Sequence, residues 1–178
     1  MSKFDLTKRA ILSFFFAGTL MMTLVMMNSG AALKTSATPK GIVDLEFANN
    51  AEKALVVINA WTGKNYEDTI NKAKNNTLFD FIFLFFYAGF LYYSCKLIAG
   101  SYNGFLFKTG RLIAGGAIAA GVLDVFENIG MLLTLNGHVS NDTTLMTFVF
   151  SIAKWILVLA AVLYLLVGGL FLLYRQKS

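Results

Sequence analysis

Three polar side chains occur close together in an otherwise apolar stretch of the chain. Asp124, Glu127 and Asn128 lie in GVLDVFENIG, with RLIAGGAIAA before this stretch and MLLTL after it. On an α-helix, spacings of three and four residues place all three side chains on one face. Two carboxyl groups and a carboxamide on one face can bind a cation, hold a proton or carry out acid–base chemistry. The pattern therefore predicts a polar site on this helix.

Two neighbouring apolar stretches each add a charged residue. Asp80 opens DFIFLFFYA, and Lys154 lies in AKWILVLAAVLY. At a rise of about 1.5 Å per residue, Lys154 lies about 15 Å along its helix from Thr144, so it can reach the same depth as Asp124. A charge inside a bilayer faces the protein interior and pairs with another group. Lys154 is therefore the expected partner of Asp124 or Glu127.

The charges in this set do not balance. One lysine cannot neutralise Asp80, Asp124 and Glu127 together. The excess negative charge must be met by a protonated carboxyl group, a bound cation, water, or the cationic part of a ligand. A simpler interpretation stays open. Lys154 would neutralise one acid, a second acid would be protonated and Asn128 would bond a neighbouring backbone, which makes the cluster an inert contact between helices.

The residue types limit which metal or cofactor the chain can bind. Oxygen ligands from Asp124 and Glu127 would suit a hard divalent cation such as Mg²⁺, Ca²⁺ or Mn²⁺. The only histidine, His138, lies in the loop NGHVSNDTT and the chain has one cysteine, so a zinc or haem site built from histidines is excluded. The sequence also lacks GxSxG, CxxC, HExxH and a glycine-rich phosphate loop. No cofactor is firmly implied.

The composition is that of a membrane protein. Of the 178 residues, 57% are hydrophobic and 14% are charged, and the mean hydropathy is +0.64. Soluble domains have about 45–50% apolar and about 25% charged residues. The net charge of +5 is not arranged as a basic stripe with interleaved aromatic residues. The expected partners are therefore membrane lipids, and nucleic acid is not expected.

Four apolar stretches are long enough to span the roughly 30 Å hydrocarbon core of a bilayer. They are residues 10–28, 78–99, 111–135 and 144–174. The predicted fold is all-α: residues 1–178 form a single four-helix transmembrane domain with an outer helical segment between the first two spans. The first span resembles a secretory signal, but its apolar run exceeds the usual ~7–15 residues, so we expect it to be retained.

The distribution of lysine and arginine predicts the orientation of the spans. If the N-terminus is inside, the inner ends carry eight basic residues and almost no acids, whereas the basic residues on the opposite side are diluted in a longer segment with many acids. The eight residues are Lys3, Lys8, Arg9, Lys96, Lys108, Arg111, Arg175 and Lys177. By the positive-inside rule, both termini of a multi-pass protein of the cell (inner) membrane are then cytoplasmic.

Residues 29–77 form the only sizeable segment that we expect outside the bilayer. In EFANNAEKALVVINAW, apolar residues recur every three or four positions, which predicts an amphipathic helix on the outer surface or across the end of the bundle. The predicted apolar stripe is Phe47, Ala51, Ala54, Leu55, Ile58 and Trp61. Gly63 is the expected end of this helix. NYEDTINKAKNN is expected to form a second, polar helix that leads into the second span.

The stretch TPKGIVDLEFA, ahead of this helix, carries two acids among apolar residues, Asp44 and Glu46. Pro39 and Gly41 favour an irregular entry, which the apolar residues could hold against the mouth of the bundle. Glu46 would then face the polar cluster. Alternatively, Asp44 and Glu46 are first-turn acids that stabilise the positive end of the following helix.

The chain resembles a family of uncharacterised bacterial four-helix integral membrane proteins. The resemblance rests on TPKGIVDLEFA with its GIxxxE pattern, on DFIFLFFYA, on LDVFENIG with its DxxEN pattern and on AKWILVLAAVLY. It covers most of residues 38–165, implies the four-helix architecture and singles out six residues without naming a reaction. These are Glu46, Asp80, Asp124, Glu127, Asn128 and Lys154.

Three functions fit these residues. The first is binding or transport of a proton, a metal cation or an amine-bearing lipid head group in an acidic site open to the outer side; transport through so small a bundle would need a homo-oligomer. The second is a membrane-embedded lipid hydrolase or transferase, with Asp124 or Glu127 as acid or base and Lys154 stabilising an oxyanion. The third is an accessory subunit that contacts a membrane partner through its outer segment, while the cluster only locks helix packing.

Overall fold

The fold consists of helices joined by short connections. The computed structural model describes residues 3–61 and 66–175. Its α-helices are α1 (Lys3–Gly30), α2 (Ile42–Glu46), α3 (Ala51–Ala60), α4 (Tyr66–Ala99), α5 (Gly104–Leu135) and α6 (Asn141–Arg175). One 3-10 turn, Ala31–Leu33, follows α1, and no β-strand occurs within the described ranges. The predicted all-α class is therefore confirmed for this part of the chain.

Four of these helices, α1, α4, α5 and α6, are long and apolar enough to cross a membrane. Each contains one of the four predicted spans, which confirms their number and type. The polar stretch NYEDTINKAKNN does not stand apart from the second span, because α4 already begins at Tyr66. No proline or glycine lies between Tyr66 and residue 78, so nothing in the backbone interrupts the helix there.

The helix α4 packs against the other three long helices, α1, α5 and α6. Glycines allow the close approach of α1 to α4, because a Cβ atom on Gly18 would overlap the ring of Phe86 and one on Gly89 would overlap the ring of Phe15. Among the described residues, α1 has no comparably extensive contact with α5 or α6. The long helices therefore form a three-helix group, α4–α5–α6, with α1 attached to it along α4.

The segment between α1 and α4 lies across one end of this bundle. Trp61 fixes its fold, because the indole Nε1–H donates to the carbonyl oxygen of Leu33 at 2.9 Å and to the hydroxyl of Thr38 at 3.1 Å. Its apolar side chains form one buried cluster with Met131 and Leu135 of α5. Of the two predicted positions for this segment, packing across the end of the bundle is the one observed.

The apolar stripe of α3 differs in part from its prediction. Ala54, Ile58 and Trp61 are buried as predicted, but Leu55 is 45% exposed and Val57 is buried in its place. Phe47 is also exposed and precedes the helix, since Asn50 caps α3 by accepting a hydrogen bond from the backbone N–H of Lys53. The later start explains why Phe47 lies outside the stripe, whereas Val57 and Leu55 lie on opposite sides of the face formed by Ala54, Ile58 and Trp61, and packing buries the side of Val57. Gly63, the predicted end of the helix, lies outside the described residues.

Candidate functional site

Lys154 of α6 is the centre of a buried ion cluster. Its Nζ donates to Asp124 Oδ1 at 2.8 Å and to Glu127 Oε1 at 2.9 Å, and Glu127 Oε2 is also 2.8 Å away. Asp124 and Glu127 are 1% and 0% exposed, so water does not screen these contacts. The expectation that Lys154 pairs with Asp124 or Glu127 is confirmed, and the lysine in fact contacts both.

Two further hydrogen bonds tie α4 to the polar face of α5. The hydroxyl of Tyr87 donates to Asp124 Oδ2 at 2.7 Å, so both oxygens of Asp124 are bonded. The carboxamide of Asn128 donates to Asp80 Oδ2 at 2.8 Å. Asp80 therefore joins the cluster through Asn128. These contacts hold Asp124 and Asn128 in fixed positions between α4 and α6.

Glu46 approaches the same lysine from a different part of the chain. Gly41 adopts a φ of 66°, a left-handed conformation that glycine tolerates, and α2 follows it. The carbonyl oxygen of Glu46 accepts a hydrogen bond from Ser151 of α6 at 3.3 Å, which holds the end of α2 against α6. As a result, Glu46 is only 9% exposed although it belongs to a connecting segment.

The carboxylate of Glu46 is poorly paired for a buried group. Its Oε2 lies 3.8 Å from Lys154 Nζ, and it accepts no hydrogen bond from the described residues. The alternative that Glu46 is a first-turn acid is wrong, because it is the last residue of α2 and precedes α3 by five residues. Asp44 does lie in the first turn of α2, where its Oδ2 accepts a hydrogen bond from the backbone N–H of Lys40 at 2.8 Å.

A cavity of about 500 Å³ adjoins the cluster, between α1, α2, α4 and α6. One part of its wall is polar and includes Lys34, Lys40, Glu46, Asn76, Asp80, Asp124 and Lys154. The remainder is mostly apolar and includes Phe83, Phe90, Leu91, Val158 and Val162. Glu127 and Asn128 do not line this cavity. The six predicted residues therefore divide into four that line it and two that lie behind them.

Asn76 is a second buried side chain in the polar wall with an unused acceptor. Its Nδ2 donates to the carbonyl oxygen of Met26 at 3.0 Å and to the hydroxyl of Ser29 at 2.7 Å, which ties α4 to the end of α1. Its Oδ1 is buried and accepts no hydrogen bond from the residues described. The cavity wall thus contains two such oxygens, on Asn76 and Glu46.

Sequence reasoning missed Asn76 and Tyr87, although a signal for both was present. Asn76, Asp80 and Tyr87 are separated by four and seven residues, and both spacings return to the same face of a helix. A polar face on α4 could therefore have been predicted from the position of Asp80. The rim lysines, Lys34 and Lys40, had no comparable signal, because their position depends on the irregular path of residues 34–41.

The predicted metal ligands, Asp124 and Glu127, surround the lysine ammonium in the structure. Three of their oxygens lie within 2.9 Å of Lys154 Nζ, which takes the place that a cation would take between them. No group of three or more histidine, cysteine, aspartate or glutamate side chains is arranged to hold a metal ion within residues 3–61 and 66–175. His138 is exposed after the end of α5. The assignment of a hard divalent cation stays a prediction.

The four long apolar helices, packed around buried charges, define the architecture of a multi-pass membrane protein. Comparison of this chain with protein-family models, with curated proteins and with solved structures finds no match. The resemblance to a family of bacterial four-helix membrane proteins stays a prediction.

Proposed function

We propose that this chain is an integral membrane protein that binds an amphiphile with a cationic, amine-bearing head group. The observation that carries the proposal is the cavity between α1, α4 and α6, in which buried acids and an apolar wall meet. A molecule with a positive head and a hydrocarbon tail would satisfy both parts of this wall. A free metal cation would use only the polar part.

The charge of the cluster supports a cationic ligand. Three carboxyl groups, on Glu46, Asp124 and Glu127, lie within 4 Å of one ammonium group, on Lys154, and a fourth, on Asp80, joins the cluster through Asn128. An uncompensated charge in a low-dielectric site costs several kcal/mol, on the order of 2.5–3.5 kcal/mol even on translocon-insertion scales. A cationic head group would reduce this cost by offsetting part of the excess negative charge.

The packing of α1 supports entry of the tail from the side. α1 is attached along α4 and has no extensive contact with α6 among the described residues, so the apolar part of the cavity lies at a seam between α1 and α6. Val158 and Val162 of α6 and Phe90 of α4 line this part of the cavity. Hydrocarbon chains could pass along this seam from the bilayer without crossing the polar wall.

We further propose that both termini are cytoplasmic and that the protein lies in the cell (inner) membrane. The positive-inside rule supports this orientation, because the N-terminal end of α1 carries Lys8 and Arg9, and the ends of α4 and α5 that meet at their connection carry Lys96 and Lys108. The cavity is on the opposite side, near α2 and α3. In this orientation it opens toward the outer leaflet.

Tryptophan fluorescence provides a direct binding test. Trp155 lines the cavity, whereas Trp61, the only other tryptophan, is 2% exposed in the cluster at the end of the bundle. In detergent micelles, dibromostearylamine should quench Trp155 emission at lower concentration than dibromostearic acid, which has a similar tail and the opposite head charge. Unbrominated stearylamine should reverse the quenching, and Trp155→Phe should abolish it.

Glu46→Gln tests whether the acidic wall causes this preference. Loss of one buried charge partner costs about 1.5–3 kcal/mol, so the amine should bind roughly ten to a hundred times more weakly. Asp44→Asn is the matched control, because Asp44 lies on the same short helix, does not line the cavity and bonds only the backbone N–H of Lys40. Equal quenching by amine and acid, or an unchanged Glu46→Gln variant, would contradict the proposal.

The carboxylate of Glu46, which is poorly paired, also favours a second candidate function, a lipid hydrolase or transferase. A general base needs an oxygen that is free to accept a proton, and Asp124 and Glu127 are instead bonded to Lys154. Purified protein would be incubated with a lipid panel, with and without Mg²⁺, Ca²⁺ or Mn²⁺. Turnover that is lost in Glu46→Gln and kept in Asp44→Asn would favour this function, and absence of turnover would exclude it.

A further inference from the structure

Three side chains that line the polar part of the cavity, those of Glu46, Asn76 and Asp80, each have an oxygen without a hydrogen bond from the residues described. Glu46 Oε2 and Asn76 Oδ1 are buried and accept no hydrogen bond from the residues described. Asp80 uses one oxygen to accept from Asn128, and it is partly exposed in the same wall. Tyr87, a hydroxyl donor in this wall, already donates to Asp124. Apart from the ammonium groups of Lys34 and Lys40, the donors of this wall are already bonded, so a ligand next to the carboxylates of Glu46 and Asp80 would supply N–H or O–H donors of its own.

Two lysines lie on the same cavity at its rim. Lys34 and Lys40 both line the cavity and are exposed. Neither ammonium group forms an ion pair with a carboxylate of the described residues, since Asp44 bonds the backbone of Lys40 and not its side chain. Gly41 leaves room beside Lys34, because a Cβ atom there would lie 3.3 Å from Lys34 Cγ. Two unpaired ammonium groups at one rim provide a place for an anion.

From these two observations, which rest on the proposed function, we propose that the ligand is an aminophospholipid: a lipid with a primary ammonium group, a phosphate and hydrocarbon chains. The ammonium lies against the carboxylates of Glu46 and Asp80, and its N–H groups donate to their accessible oxygens. The phosphate lies at Lys34 and Lys40, and the chains leave between α1 and α6. A quaternary ammonium group has the same charge but no N–H donor, so the site distinguishes the two.

The test compares four brominated probes by quenching of Trp155 in detergent micelles. Dibromo-phosphatidylethanolamine carries the primary ammonium and the phosphate, dibromo-phosphatidylcholine carries a quaternary ammonium, and dibromo-phosphatidylglycerol has no amine. Dibromostearylamine has the amine without the phosphate. Loss of one hydrogen bond to a buried charged group raises the dissociation constant roughly tenfold. Phosphatidylcholine should therefore bind about ten times more weakly than phosphatidylethanolamine, and phosphatidylglycerol still more weakly.

The rim lysines are tested separately. The double variant Lys34→Gln/Lys40→Gln should bind phosphatidylethanolamine about five times more weakly, as expected for the loss of two exposed charge contacts. Its affinity for dibromostearylamine should be unchanged. Lys53→Gln is the matched control, because Lys53 is an exposed lysine of α3 whose side chain bonds Asn49 and does not line the cavity. Free phosphoethanolamine should compete poorly, because it has no chains to fill the apolar part.

The outcomes separate this inference from the proposed function. Equal binding of phosphatidylethanolamine and phosphatidylcholine, with dibromostearylamine still bound, would overturn the primary-amine ligand and leave the cationic amphiphile in place. If the Lys34→Gln/Lys40→Gln variant binds phosphatidylethanolamine as tightly as the unmodified protein, the phosphate does not lie at these lysines. Effective competition by free phosphoethanolamine would indicate a soluble ligand and overturn the lipid. Failure of dibromostearylamine itself to bind would instead contradict the proposed function.

Discussion

The three acidic residues within 4 Å of the Lys154 ammonium group fall into two groups that contact it differently. Asp124 and Glu127 lie between α5 and α6 at 2.8–2.9 Å from the ammonium group, and Tyr87 bonds the remaining oxygen of Asp124. Glu46 lies at the cavity, 3.8 Å from the same ammonium, without a hydrogen bond from the described residues. Residues that stabilise the bundle can thus be told from residues available to a ligand by counting their partners.

Of the variants that test this difference, Lys154→Met is expected to lower the free energy of unfolding the most. The variant leaves Asp124 and Glu127 buried without their common partner. Removing one member of a buried ion pair costs about 3–5 kcal/mol. The free energy of unfolding in mixed micelles should fall by this amount. Lys72→Met is the control, because Lys72 pairs with Asp68 on an exposed surface, where such pairs contribute about 0–1 kcal/mol. Equal losses in the two variants would show that the buried cluster does not stabilise the bundle.

A smaller effect is expected from Tyr87→Phe. The variant keeps the ring but removes the donor to Asp124 Oδ2, and an unsatisfied buried acceptor costs about 1–3 kcal/mol. The matched change is Tyr92→Phe, since the Tyr92 hydroxyl bonds only the exposed Lys96. Thermal unfolding monitored by circular dichroism would compare them. If Tyr92→Phe is as destabilising as Tyr87→Phe, the buried hydrogen bond to Asp124 contributes no more to stability than an exposed one.

The smallest effect on stability is expected from Glu46→Gln, and its comparison with Glu127→Gln distinguishes the two groups of acids. Glu127→Gln should lower the free energy of unfolding by about 1–3 kcal/mol because it weakens two contacts to Lys154, whereas Glu46→Gln should change it by less than about 1 kcal/mol because no hydrogen bond is lost. Ligand binding should show the reverse order. A Glu46→Gln variant that unfolds as readily as Glu127→Gln would place Glu46 among the structural acids.

The sequence predicts the helices well and the site in part. Long apolar runs identify α1, α4, α5 and α6, because a bilayer demands a minimum length that few other structures reach. The pairing of Lys154 with Asp124 and Glu127 follows from helical spacing and depth alone. Both predictions depend on a regular repeat, which fixes the direction and height of each side chain once the helix is known.

The cavity could not be predicted in the same way. Its polar wall needs Glu46, whose position follows from the turn at Gly41 and the contact of Ser151 with the Glu46 carbonyl. The width of the cavity depends on the separation of α1 from α6, which is set by tertiary packing. Neither feature leaves a periodic pattern in the sequence. The changed stripe of α3, where Val57 is buried instead of Leu55, has the same origin, because tertiary packing decides which side of the face of Ala54, Ile58 and Trp61 is covered.

The hydrogen bond between Ser151 and the backbone of Glu46 has a mechanical consequence. Ser151 and Lys154 lie one helical turn apart on α6, so the Ser151 hydroxyl, which is shared with the Thr147 carbonyl oxygen at 2.9 Å, places the end of α2 next to Lys154. The opposite wall belongs to α1, which is tied to α4 near Met26 and Ser29 by Asn76. A tilt of α1 about that tie would widen or narrow the seam to the bilayer while the spacing of the charges stayed constant. Under the proposed function, entry of the tail would then depend on α1, whereas the charges that meet the head group belong to α2, α4 and α6.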